Sequence, residues 1–240
     1  MIRNVIRKII PDKLFLALKR KLGVPNQKSS FLRLKHLGFT PNTILDIGAF
    51  EGNWAEDIYT IFPNAHILMV EGQKNKKDTL ELKSKNIPNS NVQIALLGAE
   101  IKNVEFNIYE TASSVFKEDN ETNAKTEQIE LTLLDDLVLG TEFEQTDLIK
   151  IDTQGYELEI LKGGKNVLKS AKVVLMEVSM LGIYKGAPLI DEVISFMKVN
   201  GFVLYDICSI MRRPYDQALF QSDFLFLKED HLLRSSTRWD

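Results

Sequence analysis

Residues 44–47 form a short apolar run, Ile-Leu-Asp-Ile, that ends in Gly48. Gly52 then opens a helical pattern of Trp54, Ala55, Ile58, Tyr59 and Phe62. No other stretch constrains the chain as strongly. A strand that turns through glycine into a helix start sets backbone N–H groups and the positive helix end against a polar ligand. Glycine suits such a turn because the missing Cβ permits close approach and positive φ. A second apolar run, residues 66–70, ends in Glu71. An acid at the tip of the second strand can accept both hydroxyls of a ribose. The pattern therefore predicts a nucleoside-containing ligand on a doubly wound α/β sheet.

A dinucleotide fingerprint requires two further glycines after Gly48, and this chain has Phe50 and Asn53 in those places. What remains is Asp46-x-Gly48-x-x-x-Gly52. An acid before the turn is a poor neighbour for phosphate and a good one for the ammonium group of S-adenosylmethionine (SAM). The alternative is an ordinary strand-to-helix turn with an incidental aspartate. On the SAM reading the cofactor set is Asp46, Gly48, Ala49, Phe50 and Gly52 at the turn, with Glu71, Gly72 and Gln73 at the second tip. Ser113 and Ser114, in a polar loop between two alternating strands, complete it on the acceptor side.

At 240 residues the chain suits one α/β domain with a small appendage. A net charge of −3 gives no basic bias of the kind nucleic-acid binding favours. The lone Cys208 excludes an intramolecular disulfide or a cysteine metal cluster and fits a reducing cytosol. No apolar run approaches the ~18 residues of a membrane span, and Arg7, Lys8 and Lys13 interrupt any signal-peptide core. Residues 1–22 carry Arg3, Arg7, Lys8, Lys13, Lys19, Arg20 and Lys21 against Asp12 alone, with Ile2, Val5, Ile6, Ile9 and Ile10 at helical spacing. A basic amphipathic arm of this kind lies on an anionic membrane, or packs on its own domain or on a partner subunit. The expected divisions are a helical arm over 1–40, a catalytic domain over 41–228 and a tail over 229–240. The expected location is cytoplasmic, peripheral at the inner membrane face if the arm binds lipid, and a homo-oligomer is one use of the arm.

Alternating strands and helices follow. Apolar runs one, two, four and five finish in Asp46, Glu71, Asp152 and Glu177, making one acidic rim where ligands of open α/β sheets bind. Lys150 and Asp152 share a strand face. A carboxylate at the tip can take a hydroxyl proton during transfer, or it can merely cap the next helix. Lys150 needs a carboxylate partner if buried. Glu157 is a first-turn dipole partner or a site residue. The candidate catalytic residues are Asp152, Lys150 and Glu177. Asp152, Glu177 and Asp223 offer oxygen ligands for a divalent ion such as Mg²⁺, but no tight spacing marks a metal site and none is predicted. Arg212 and Arg213 either hold an anionic substrate group or sit in an exposed turn.

The Asp46–Gly52 turn, Glu71, the block from Leu148 to Gly163 with its Ile-Lys-Ile-Asp-x-x-Gly-x-Glu core, and Met176-Glu177-Val178 together resemble the FkbM family of SAM-dependent O-methyltransferases. The resemblance spans residues 42–228. It implies a class I methyltransferase fold with a mostly parallel seven-stranded, Rossmann-like sheet. It also implies SAM as cofactor and methylation of a hydroxyl, on a glycan, glycolipid, nucleotide-sugar or related small molecule. The chain departs from the family by Phe50, where Asn is common, and by Gly72, where Pro commonly follows the acid. A nucleotide-dependent oxidoreductase and a non-catalytic SAM-binding module are the rival readings. For the arm, the membrane alternative predicts that the full chain sediments with anionic liposomes and that removing residues 1–22 abolishes this. Equal behaviour of the two proteins would assign the arm to protein contacts.

Overall fold

The computed structural model describes residues 22–108, 115, 125–182 and 184–239, so residues 1–21 of the arm expected over 1–40 and the serines Ser113 and Ser114 lie outside it. The elements that position the site are α1 (Gln27–His36), β1 (Thr43–Ile47), α2 (Asn53–Ile61), β2 (His66–Glu71), α3 (Lys77–Ser84), β3 (Ser90–Ile94) and β4 (Leu96–Leu97). They continue with β5 (Asn103–Ile108), β6 (Lys125–Thr132), α4 (Leu134–Val138), β7 (Leu148–Ile151), α5 (Glu157–Lys162), α6 (Lys165–Ser170) and β8 (Val173–Ser179). The chain closes with α7 (Ile190–Val199), β9 (Phe202–Ile207), β10 (Met211–Arg212) and β11 (Leu219–Lys228).

The main sheet runs β3-β2-β1-β7-β8-β11, with β9 and β10 both pairing on the far side of β11. Strands β3 to β8 along that path are parallel and β11 is antiparallel to β8. The expected seven positions are present, and the last is shared by β9 and the two-residue β10. Side-chain alternation along β1 and β7 feeds two cores. Leu45, Ile47, Ile149 and Ile151 pack with α4 to α7 on one face, while Ile44 and Leu148 pack with α1 to α3 on the other. Helices therefore cover both faces, as a parallel sheet requires. Because α1 buries Phe31 and Leu34 in the second core, residues 27–36 pack as part of the domain. Among the described residues no helix is long and apolar enough to cross a membrane.

Several local expectations shift. The strand expected over 91–97 breaks at Ala95. Ile94 pairs with Glu71, the last residue of β2, so β3 has no partner beyond it, and β4 turns out to pair with β6. One helix after β7 becomes two, the chain leaving helical dihedrals at Gly164, and Gly163 before it passes so close to Gly98 that a Cβ would lie 2.0 Å from its carbonyl oxygen. Leu80 is buried but Leu82 is exposed; residues two apart point to different sides of a helix. Asn26, rather than Ser29 or Ser30, caps α1 by accepting from the Ser29 N–H. His66, expected in the core, sits at the open start of β2 beside Glu142.

Phe31 meets the rings of Trp54 and Phe62 edge-on at 6.0 and 6.4 Å. Phe31→Ala is expected to cost about 3–5 kcal/mol, read by urea denaturation. The neighbouring exposed Leu32→Ala should change stability by about 0.5 kcal/mol or less.

Candidate active site

Gly48 has φ 75°, and a Cβ there would stand 1.9 Å from the Asp152 carbonyl oxygen. Only glycine lets the turn after β1 pass so close to the end of β7. The Gly48 and Ala49 N–H groups donate to the Val70 carbonyl at 2.9 and 3.1 Å, and the Asp152 N–H donates to that of Ile47 at 3.1 Å. Three strand tips are thereby tied together. Phe50, next in the turn, is held at φ 51°, a region that ordinary side chains avoid and that clusters at functional sites. Its N–H donates to Glu71 Oε2 at 2.8 Å, while the Gln73 N–H donates to Oε1 at 2.9 Å. Burial pushes the Glu71 carboxyl up and these two N–H bonds pull it back.

A cavity opens beyond these tips. Phe50, Glu71, Gly72 and Gln73 form one side, Leu96, Leu97, Phe106 and Val115 an apolar end, and Asp152, Thr153, Gln154 and Tyr156 the other side. An apolar slot ending at a backbone-held carboxylate fits an adenine ring with its ribose. The pair β5–β6, which interrupts the strand–helix alternation, supplies Phe106 to that slot.

Asp46 and Lys150 are cross-strand neighbours on β1 and β7 and do not line the cavity. The sequence placed Asp46 against the cofactor's ammonium; the structure places it, wholly buried, 3.1 Å from the Lys150 ammonium. That contact is within ion-pair distance but off the direction of a hydrogen bond, so neither Asp46 oxygen has a hydrogen-bond partner among the described residues. Burial pushes Asp46 up, and Lys150 opposes it. Burial would push Lys150 down, but Asp46 and Asp152 outweigh it and hold the ammonium above the usual lysine range. We take the pair as ionic, because Lys150 also donates to the Gly48 carbonyl at 2.8 Å. The ammonium thereby joins β1 to the carbonyl of the Gly48 turn. Ala49 is core, and Gly52 starts α2 against Lys83, Met69 and Leu80 rather than at the cavity.

Asp152 does not cap α5. The helix has no side-chain cap, and the Glu157 carboxylate accepts from the Thr153 and Gly155 N–H groups of the loop before it, at 2.8 and 3.1 Å. Its burial raises it to about 7. Asp152 instead faces the cavity, accepts from Gln154 Nε2 at 3.0 Å and lies 4.0 Å from the Lys150 ammonium. Glu177 accepts from Gln154 and Gln221 at 3.2 and 2.7 Å. Enclosure, with Asp152, Asp223 and Glu157 nearby, pushes Glu177 up to about 9, so it carries a proton at neutral pH. Asp223, directly across from Glu177 in register, accepts from Gln27, whose own carbonyl accepts from the Trp54 indole. Among the described residues no group of three His, Cys, Asp or Glu side chains is arranged to hold a metal ion. Arg213 pairs with Asp216 and Arg212 donates to the Gln217 carbonyl, within an exposed turn. Gln154, Tyr184 and Gln221 were not legible as site residues. Gln154 and Tyr184 come from loops and Gln221 from β11, and only the fold brings Gln154 and Gln221 to Glu177 and Tyr184 to Gln154.

A doubly wound sheet with an antiparallel strand near one edge and a nucleoside-shaped cavity over β1 and β2 defines a class I methyltransferase fold. The sequence matches the methyltransferase FkbM domain over residues 46–204, and the chain belongs to that family. Membership implies SAM as methyl donor. No curated protein matches the sequence significantly. Among solved structures, the N-terminal domain of EvdMO1 in the presence of S-adenosylhomocysteine (SAH) and D-fucose is similar at 12% identity and TM-score 0.52, covering 84% of this chain and 82% of that one. The same domain with SAH bound gives 12% and 0.50 over 85% and 82%. Precorrin-6y C5,15-methyltransferase from Geobacter metallireducens gives 16% and 0.48 over 84% and 85%. At these identities the likeness is one of fold.

Glu157 and Glu177 hold protons in the folded chain that their ordinary value of 4.5 would release when unfolded. Stability therefore falls as pH rises wherever the folded state binds more protons. The urea midpoint should decline between pH 5 and 9, and Glu177→Gln should flatten the decline above pH 7. An equal slope in that variant would reject the assignment.

Proposed function

We propose that this protein is a SAM-dependent O-methyltransferase acting on a hydroxyl of a sugar or a related polyhydroxylated metabolite. The observation that carries the reading is Asp152, a carboxylate that lines the nucleoside cavity and is also joined to the neighbouring Gln154–Glu177–Gln221 cluster. Bound SAM supplies an electrophilic methyl group on a sulfonium and departs as SAH.

Glu71 would hold the ribose hydroxyls, and Gly48 and Phe50, which line the cavity beside it, would hold the rest of the cofactor. Asp152 would take the proton of the acceptor hydroxyl and pass it to solvent. Alignment of hydroxyl, methyl and sulfur supplies much of the rate. Glu177, which accepts from Gln154 and Gln221 and is pushed up to about 9, serves as a positioning group and not as a second base. Lys150 braces the turn. Amide, phenol and protonated carboxyl groups can each donate and accept, which matches a polyol better than an anion. The two arginines of the β10–β11 turn are engaged within that turn, so they lend no support to a nucleotide-sugar phosphate. The domain of EvdMO1 that shares this fold was solved with D-fucose, in accord with a sugar acceptor. A catalytic domain in the cytoplasm, with the basic arm touching the inner membrane face, suits a lipid-linked saccharide.

Transfer of labelled methyl from SAM to a panel of free and lipid-linked sugars tests the reading. A hydroxyl-methylated product is expected, with Asp152→Asn lowering kcat by about 10²–10⁴-fold and leaving SAH affinity within a few-fold. SAH binding without turnover on any acceptor would favour a non-catalytic binding module.

A further inference from the structure

We propose that Gln154 is a positioning residue whose side-chain amide, held by Tyr184, fixes the orientation of the Asp152 carboxylate and ties it to Glu177. The proposal rests on the reading of Asp152 as the base.

The first observation is conformational. Gln154 sits at φ 56° although its neighbour Gly155 supplies a freely left-handed position at φ 94°. A non-glycine side chain in this region is disfavoured and persists where the surroundings over-determine it. A tight loop alone would be served better by a second glycine.

The second observation is what the amide does. Gln154 Nε2 donates to Asp152 Oδ1 at 3.0 Å and to Glu177 Oε1 at 3.2 Å, which uses both of its N–H bonds. Its Oε1 accepts from the Tyr184 hydroxyl at 2.7 Å. A carboxylate oxygen accepts, so the amide nitrogen faces Asp152. The carbonyl then turns toward the phenol. Tyr184 is itself buried, in the connection between β8 and α7, so its hydroxyl is anchored by packing that does not depend on the loop.

No other side chain of similar reach fits these three contacts. Glutamate has no N–H to offer Asp152, lysine has no acceptor for Tyr184, and asparagine is one methylene short. Glu177 is held from its other side by Gln221 of β11 at 2.7 Å. With Oδ1 committed to Gln154 and Oδ2 turned toward Lys150 at 4.0 Å, the plane of the Asp152 carboxylate is set before any acceptor arrives. Such pre-orientation is worth rate, because a base displaced by about 1 Å can lose about 10²-fold.

The test has two arms, both on the full chain. In the kinetic arm, Gln154→Gly should keep the urea midpoint and SAH affinity, since glycine takes this backbone freely. Its kcat on the best acceptor should fall by about 10²-fold with the KM for SAM unchanged. Tyr184→Phe should fall in the same direction, and the double variant should be no slower than Gln154→Gly. Wild-type turnover with unchanged kcat in Gln154→Gly would overturn the proposal. In the spectroscopic arm, the Gln154 side-chain ¹⁵N–¹H pair, assigned by its loss in Gln154→Gly, should shift in both Asp152→Asn and Tyr184→Phe. It should also report a titration near pH 9 that vanishes in Glu177→Gln. A signal indifferent to both Asp152→Asn and Tyr184→Phe would overturn the proposal, whatever the kinetics. Absence of any wild-type turnover would count against the functional reading instead, and the spectroscopic arm would then decide the amide's hold on Asp152.

Discussion

A buried ammonium group, Lys150, is the charge on which the centre of this structure depends. It stands between Asp46 on the neighbouring strand and Asp152 at its own strand's tip, and it donates to the carbonyl of Gly48 in the turn between them. A lysine with so little exposure persists only with such partners, and Asp46, enclosed without a hydrogen bond, depends on it equally. The pair therefore fixes β1 beside β7 in one register and presses the Gly48 turn against the end of β7. The cavity lies directly beyond. A charge pair that touches no ligand thus decides where the ligand-facing groups stand.

From that anchor the site divides in two. Toward β2 and β3, backbone N–H groups hold Glu71 and the β5–β6 pair closes an apolar slot, an arrangement suited to a nucleoside. Toward β8 and β11, carboxyl and amide side chains interlock around Glu177. Asp152 belongs to both halves. The proposed methyl transfer calls for such a shared group, because its donor and acceptor subsites must both reach the residue that handles the proton. Of the four described non-glycine residues with positive φ, Phe50 and Gln154 fall one in each half, beside the turn and beside Asp152, while Asn89 and Gln217 lie away from the cavity.

The acidic rim illustrates both the strength and the limit of reading residues in order. Four apolar runs ending in carboxylates were visible as a pattern, but only Glu71 and Asp152 stand at strand tips, whereas Asp46 lies within β1 and Glu177 within β8. Their environments, however, separate them into four chemistries. Asp46 is neutralised by a buried lysine, Glu71 is clasped by backbone, Asp152 is half open to the cavity, and Glu177 is enclosed among other acids and holds its proton. Glu157, equally ambiguous between a dipole partner and a site residue, proves to be the brace of the loop that carries Asp152 and Gln154. Burial and neighbours set these differences, and neither is written in the spacing.

The sequence by itself determined the layered α/β architecture, the strand–turn–helix at Gly48 and the position of the acids, because these follow from local periodicity, glycine conformation and strand length. It also carried the family, through a block whose residues are contiguous. Only the tertiary structure decided the rest. It turned β4 out of the main sheet where β2 ran out of partners, and split a helix at Gly164, next to the contact of Gly163 with Gly98. It also set Tyr184 and Gln221 beside residues 30 and 44 positions away, Gln154 and Glu177 respectively. Those contacts depend on which strands become neighbours, and that choice is made by packing across the whole sheet, which no local pattern records.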